Sequence, residues 1–370
     1  MNFEWMSFVE FGIIALALVI GTFFRAKIKF FQKFMIPNSI TAGIILLLFY
    51  SLLAPKINIS TKFLENLVYH LVNISFVAMA LRKPGKRKHE KRPAFATAMN
   101  ILSVYVIQGA LGLILTFIFI KTFIPGLFPS FGFFIPLGFA LGPGQAFAIG
   151  QKWEAPAYGF EGSGSVGLTF AAVGFFWAIF GGVFLINLAI RKGWIKPPSS
   201  STGDGANRSG LLRHDDKFPI GAHLTTQSEA IETFAFNISI IFIVYLAAFL
   251  FLKLLTFLLS FAGPMGMSLA ESFWGISFIF ATLFGLIGRK VIDLFRVGHI
   301  LENGTLTRTT GLSVDFMVAA SIGAISVKFV LAYWIPILVM CATGGIVTLV
   351  FMVWMSSRVY TDHKFERMIL

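Results

Sequence analysis

Apolar residues along this chain come in long runs separated by short basic clusters. Nine runs read as membrane-crossing helices: 8–24, 36–53, 63–81, 96–120, 165–190, 232–259, 271–288, 310–327 and 330–356. Runs of roughly 18 to 28 residues match a hydrocarbon core of about 30 Å at the helical rise. None shows the period-two alternation of a barrel strand. Hydrocarbon demands that every backbone N–H and C=O be bonded within the structure, which leaves bundles and closed barrels. The pattern predicts an all-α integral membrane protein of about nine transmembrane helices.

One stretch interrupts the pattern. Residues 131–152, FGFFIPLGFALGPGQAFAIGQK, are apolar but rich in Gly and Pro. That composition is too broken for a continuous helix and too apolar for an ordinary loop. It predicts a re-entrant hairpin, because non-helical backbone survives at membrane depth only where protein or water satisfies it.

Composition strengthens the membrane reading. Hydrophobic residues make up 56% of the chain and charged residues 13%, against roughly a quarter charged in soluble domains. The mean hydropathy is +0.81. A net charge of +13 would suggest nucleic acid if it were spread over a surface. Here the charges cluster between apolar runs, so no nucleic-acid partner is expected and the bilayer itself is the partner. Twenty-four Lys and Arg fall in alternate connecting segments beginning with Arg25–Lys33, and five fall in the others. The positive-inside rule then places the N-terminus outside and the C-terminus inside a cell inner (plasma) membrane. The start is acidic, with Glu4 and Glu10, and basic residues follow the first run, the reverse of a signal peptide. Cys341 is the single cysteine, which excludes an intrachain disulfide and reads as a small packed residue.

A polar, small-residue-rich segment, 196–230, divides the chain. Its composition predicts a flexible cytoplasmic linker. Residues 1–195 form a first repeat of five helices with the hairpin, and 231–370 a second, incomplete repeat of four. The repeats match weakly: Phe76-Val77-Ala78-Met79-Ala80-Leu81 lies on Met317-Val318-Ala319-Ala320-Ser321-Ile322, and Gln108-Gly109-Ala110-Leu111 on Thr343-Gly344-Gly345-Ile346. One begins outside and the other inside. Inverted repeats of this kind are a hallmark of secondary transporters.

Candidate chemistry sits where polar groups enter apolar runs. Gly142, Pro143 and Gly144 free backbone N–H and C=O groups at the hairpin tip, and Gln145 adds an amide. Such groups bind a carboxylate or replace water around Na⁺. Gln108 lies midway along the fourth run, and Asn73 and Ser75 lie within the third. Asp315, among Thr309, Thr310 and Ser313, reads equally as an ion ligand or as an interfacial acid. Gly167, Gly174 and Gly181 place small residues on one face of the fifth run, which close packing explains. There is no G-x-x-x-x-G-K-[ST] motif, no His/Glu set at metal-ligand spacing and no nucleophile triad. The chain is not expected to be an enzyme or to hold a cofactor.

These residues resemble the sodium/glutamate symporter family. The resemblance rests on Met35-Ile36-Pro37-Asn38-Ser39-Ile40-Thr41-Ala42-Gly43 entering the second span and on Val106-Ile107-Gln108 in the fourth. It continues in Gly142-Pro143-Gly144-Gln145-Ala146, where the family has a G-G-H-G-T-G hairpin, and in Gly159-Phe160 with 166–187. It implies Na⁺-driven uptake of glutamate or a related acidic amino acid or carboxylate. It also implies elevator-like alternating access and a scaffold that forms a homodimer. Pro143 and Gln145 replace the family's His and Thr. The family's second hairpin and last helix find no counterpart up to Leu370, so the sequence reads either as a fragment or as a divergent or inactive form. The alternative expectation is a non-transporting or regulatory membrane subunit, or a fragment of a transporter lacking half its binding site.

Overall fold

The computed structural model describes residues 5–83, 91–191, 210–212, 214, 219–227 and 229–359. About 80% of the described residues are helical, and no strand occurs among them. The helices are α1 (Met6–Lys27), α2 (Lys29–Lys33), α3 (Asn38–Leu52), α4 (Lys62–Leu81), α5 (Lys91–Thr122), α6 (Pro143–Trp153) and α7 (Ser163–Arg191). They continue with α8 (Thr233–Ser260), α9 (Gly263–Gly275), α10 (Ser277–Leu294), α11 (Asn303–Gly323), α12 (Val327–Ala332) and α13 (Trp334–Val359).

Six of these are long and apolar enough to cross a membrane: α1, α4, α5 from Phe95, α7, α8 and α13. The other three expected spans differ in form. The run 36–53 makes only the 15-residue α3. The run 271–288 straddles a break, since α9 and α10 meet at Ile276 with a bend of 67°. The run 310–327 falls on α11, which begins seven residues earlier, where Glu302 caps the helix by accepting the Thr305 N–H. A cap fixes a helix start more sharply than a hydropathy window does.

Helix α4 is the hub. Half of its apolar window is buried, against 22% for α1 and α8. It packs against α11 and α10, while α3 packs against α11 and α1. The α4–α11 pair is antiparallel and clamped at one end. Lys83 donates its backbone N–H to Asn303 Oδ1 (2.9 Å), and Asn303 Nδ2 donates to Lys83 O (3.1 Å). The peripheral helices expose continuous apolar faces, such as Phe242, Leu246, Leu250, Leu254 and Phe257 of α8. Isolated in water, faces of that kind would be costly. They fit contact with lipid.

The expected linker lies partly outside the described residues. Its described end is tied down: Thr225 Oγ1 donates to Ile300 O (2.7 Å), and Thr226 Oγ1 donates to Ile231 O (2.7 Å).

Candidate functional site

The segment predicted as a hairpin folds back on itself. Residues 136–141 form a wide helical turn, the chain reverses at Gly142, and α6 leaves in the other direction. Gly142 has φ +93° and ψ 179°, a conformation costly for any residue with a Cβ. Pro143 then starts α6 at the position where a missing N–H costs nothing.

Contacts fix how far the two arms reach. Their open ends meet: the Phe134 and Trp153 rings lie 5.0 Å apart, and Phe160 N–H donates to Trp153 O (3.0 Å). Along α7 the arms lie so close that only glycine fits. A Cβ on Gly150 would come within 2.6 Å of Ser163 O, and one on Gly167 within 2.4 Å of Ala146 O. On the other arm, a Cβ on Gly138 would come within 2.7 Å of Ala171 N, and one on Gly174 within 3.0 Å of Phe139 Cα. The tip therefore lies opposite the stretch of α7 between Gly167 and Gly174. That is about ten residues, or ~15 Å, from the start of α7. Gly167 and Gly174 of the α7 stripe pack against the hairpin, and Gly181 faces Leu349 of α13.

The tip leaves polar groups open. The N–H groups of Gly144 and Gln145 head α6, where helical geometry offers them no acceptor, and no side chain caps the helix. Gln145 is 2% exposed, and its amide curls back toward Gly142 without a hydrogen bond to any described residue. Donors at a helix N-terminus, with its positive dipole end, suit an anion. The tip presses on α4, where a Cβ on Gly144 would meet Val72 Cβ at 2.8 Å.

The remaining sequence candidates separate from the tip. Asn73 is buried, but its Oδ1 accepts from Ser277 Oγ (3.0 Å) and its Nδ2 donates to Tyr69 O (2.8 Å). Ser75 Oγ donates to Val72 O within its own helix (2.8 Å). Gln108 Nε2 donates to Thr348 Oγ1 of α13 (2.8 Å), while its Oε1 is buried without a partner. Gln108 lines a cavity of about 280 Å³ with Asn100, Tyr105, Thr348, Phe139 and Ala140, the last two just before the tip. Asp315 lies half-buried at the thirteenth position of α11, facing away from the α4 seam. Gly142, Pro143, Gly144 and Gln145 thus come together, Gln108 approaches the first arm, and Asn73, Ser75 and Asp315 lie apart.

Sequence reasoning underrated one feature, Asn100, which its place near the inner end of the fourth run marks as interfacial, and passed over another. Asn100 is 1% exposed with an unpartnered Oδ1, and it shares a helical stripe with Val104 and Gln108, a signal visible in the i, i+4, i+8 spacing. Second, α6 and the α9–α10 bend enclose a cavity of about 440 Å³ beside the hairpin's open end, lined by Asn66, Tyr69, Phe147, Gln151, Lys152 and Glu271. Lys152 donates to Ser268 O (3.2 Å) and contacts the Ser272 hydroxyl, joining hairpin to bend. Nearby, burial pushes the Glu154 carboxyl above its usual range. The Gly164 N–H opposes that rise, and Glu65 and Glu161 add to it.

Comparison with protein-family models, curated proteins and solved structures finds no match for this chain.

Proposed function

We propose that the protein is a sodium-coupled secondary transporter that imports an acidic amino acid such as glutamate, or a related small carboxylate. The observation that carries this reading is the open tip: a reversal opposite the middle of α7, with unpartnered Gly144 and Gln145 donors and a buried, unbonded Gln145 amide. At ~15 Å along α7 the tip would reach about half the depth of a hydrocarbon core, which supports reading the segment as a re-entrant hairpin. Cavities flank it, one along the second arm at its open end and one against Phe139 and Ala140. A site with an approach from either side is what alternating access requires.

Helix pairing supports inverted repeats in the same reading. The proposed equivalents are α1 with α8, α3 with α10, α4 with α11 and α5 with α13. Under that exchange the α3–α11 contact maps onto α10–α4, and α1–α3 onto α8–α10. The α4–α11 and α5–α13 contacts map onto themselves. Basic residues place the N-terminus outside. Gln108 and the tip contact the solute in this proposal, and Asp315 is the acid nearest in kind to a sodium ligand. Asn73 and Ser75 use their oxygens to hold α4 in place. A homodimer remains the proposed assembly.

The test is uptake of labelled glutamate into vesicles containing the purified protein, with and without an inward sodium gradient. Stimulation by sodium supports the proposal. Equal, background-level uptake of every acidic amino acid tried, in both conditions, overturns it.

A further inference from the structure

The buried face of α1 is a stripe of Glu10, Ile14, Ala17 and Gly21, at i, i+4, i+7 and i+11. Three of these suit an apolar seam, and the fourth is a carboxyl group. Gly21 fixes the register against α3, since a Cβ there would lie 2.6 Å from Asn38 O and 3.2 Å from Ala42 N. The two helices run antiparallel, so three turns further along α1 brings Glu10 opposite Tyr50. Each is 6% exposed, and Glu10 lies within electrostatic reach of the Tyr50 hydroxyl. Glu10 Oε2 and Tyr50 Oη are both fully buried, and neither has a hydrogen-bond partner among the described residues.

The surroundings offer no compensating charge. Ile14, Leu46, Ala54 and Leu64 belong to the same buried cluster. Phe11 packs on Phe63 and Phe316, covering the neighbouring position. On the elements packed here, α3 carries no charged residue, Lys56 and Lys62 are exposed to the outside, and Glu65 is bonded to Thr61. His70 lies beyond on α4, bonded to Tyr245; Arg308 lies toward the opposite end of α11, and Asp315, next to the Phe316 ring that stacks on Phe11, is an acid and supplies no positive charge. The other buried carboxylate among the described residues, Glu302, is fully engaged as a helix cap. An isolated ionised carboxylate in apolar surroundings is unfavourable enough that it takes up a positive charge instead.

We propose that Glu10 is a proton-binding site at the α1–α3 seam, with the Tyr50 hydroxyl as the polar group facing it across the seam. The ligand carries a single positive charge, because one carboxylate balances one. It is a proton rather than a metal ion, because the pocket supplies two side chains with oxygen where a bound sodium needs several oxygens. Binding converts –COO⁻ and H⁺ to –COOH, and the proton comes from water at the near end of α1. This site is separate from the hairpin and stands or falls independently of the transport proposal.

Infrared difference spectra of the intact chain in lipid nanodiscs, recorded while pH is stepped, test it. The expected result is the C=O band of a protonated carboxylic acid at neutral pH. That band is lost in Glu10→Gln and moves in frequency in Tyr50→Phe, with circular dichroism unchanged in both. A band that persists in Glu10→Gln, or no such band in the unaltered protein, overturns the proposal. Erasure of the band by sodium at fixed pH, but not by a bulky cation, also overturns it and reassigns the site to sodium.

Discussion

Two helical elements break within the helical bundle of this protein, one after Leu141 and one after Gly275, and their polar groups meet different fates. At Ile276 the break is closed. Ser277 donates its hydroxyl to Asn73, Tyr69 Oη donates to Trp274 O (2.8 Å), and Ile276 N–H finds Ser272 O (3.2 Å). At Gly142 the break is open, with no cap, two unpartnered donors at the head of α6 and a buried amide without a bond. A buried polar group left unpaired costs free energy in hydrocarbon. Where the fold can close a break and does so, the break is architecture. Where it leaves one open, the proposed transport reading makes a ligand the missing partner. The start of α11 makes the same point, because Glu302 closes it as no side chain closes α6.

Substitutions can sharpen or break this contrast. The largest expected effect is at the open break: Gln145→Ala should raise the half-saturation for uptake about tenfold or more, the cost of one lost hydrogen bond to a charged solute. The melting temperature should stay the same, because the amide supports nothing else; a large fall in melting temperature would make Gln145 a structural residue. Asn73→Ala should do the reverse. It strands the Ser277 hydroxyl at the closed break and should cost about 1–2 kcal/mol of stability, with little change in half-saturation. The two variants together form the comparison, and a swap of their phenotypes would refute it.

Smaller still is the effect of removing the α11 cap, Glu302→Gln, at about 1 kcal/mol. Burial alone would raise the Glu302 carboxyl. Hydrogen bonds from the Thr305 and Gly304 backbone, the Thr305 side chain and the His223 backbone outweigh burial and hold it below its usual range. A group lowered in the folded state stabilises above its ordinary titration range, and that contribution fades as pH falls through the lowered value. Melting curves of the two proteins should therefore stay apart at neutral pH and converge in acid. Divergence on acidification would show that the cap works through something other than charge.

The helices were legible from apolar runs, since six of the nine expected spans depend on length and hydropathy alone. The hairpin was legible because glycine and proline in an apolar stretch admit few other solutions. The break at Ile276 was not, because 271–288 carries no proline and reads as continuous. Its cause is tertiary, in Tyr69 and Asn73 reaching across from α4. Asn73 and Ser75 looked like site residues for the reason that misled, since a polar residue in an apolar run signals a need for a partner without saying which. The early start of α11 had a local signature in Glu302 followed by Thr305, which hydropathy does not weigh. Glu10 read only as part of an acidic start, and its register with Ile14 and Ala17 is what places it inside the seam.

Cys341 is the chain's one cysteine and is buried in the α13 packing, so a Cys341→Ala background permits labelling at the tip. With Leu141→Cys in that background, reconstituted in vesicles, a membrane-impermeant thiol reagent should react slowly. Glutamate with sodium should protect the site, and neither alone should do so fully. Rapid labelling by a bulky reagent, unchanged by solute and ion, would place the reversal in open water and contradict the account.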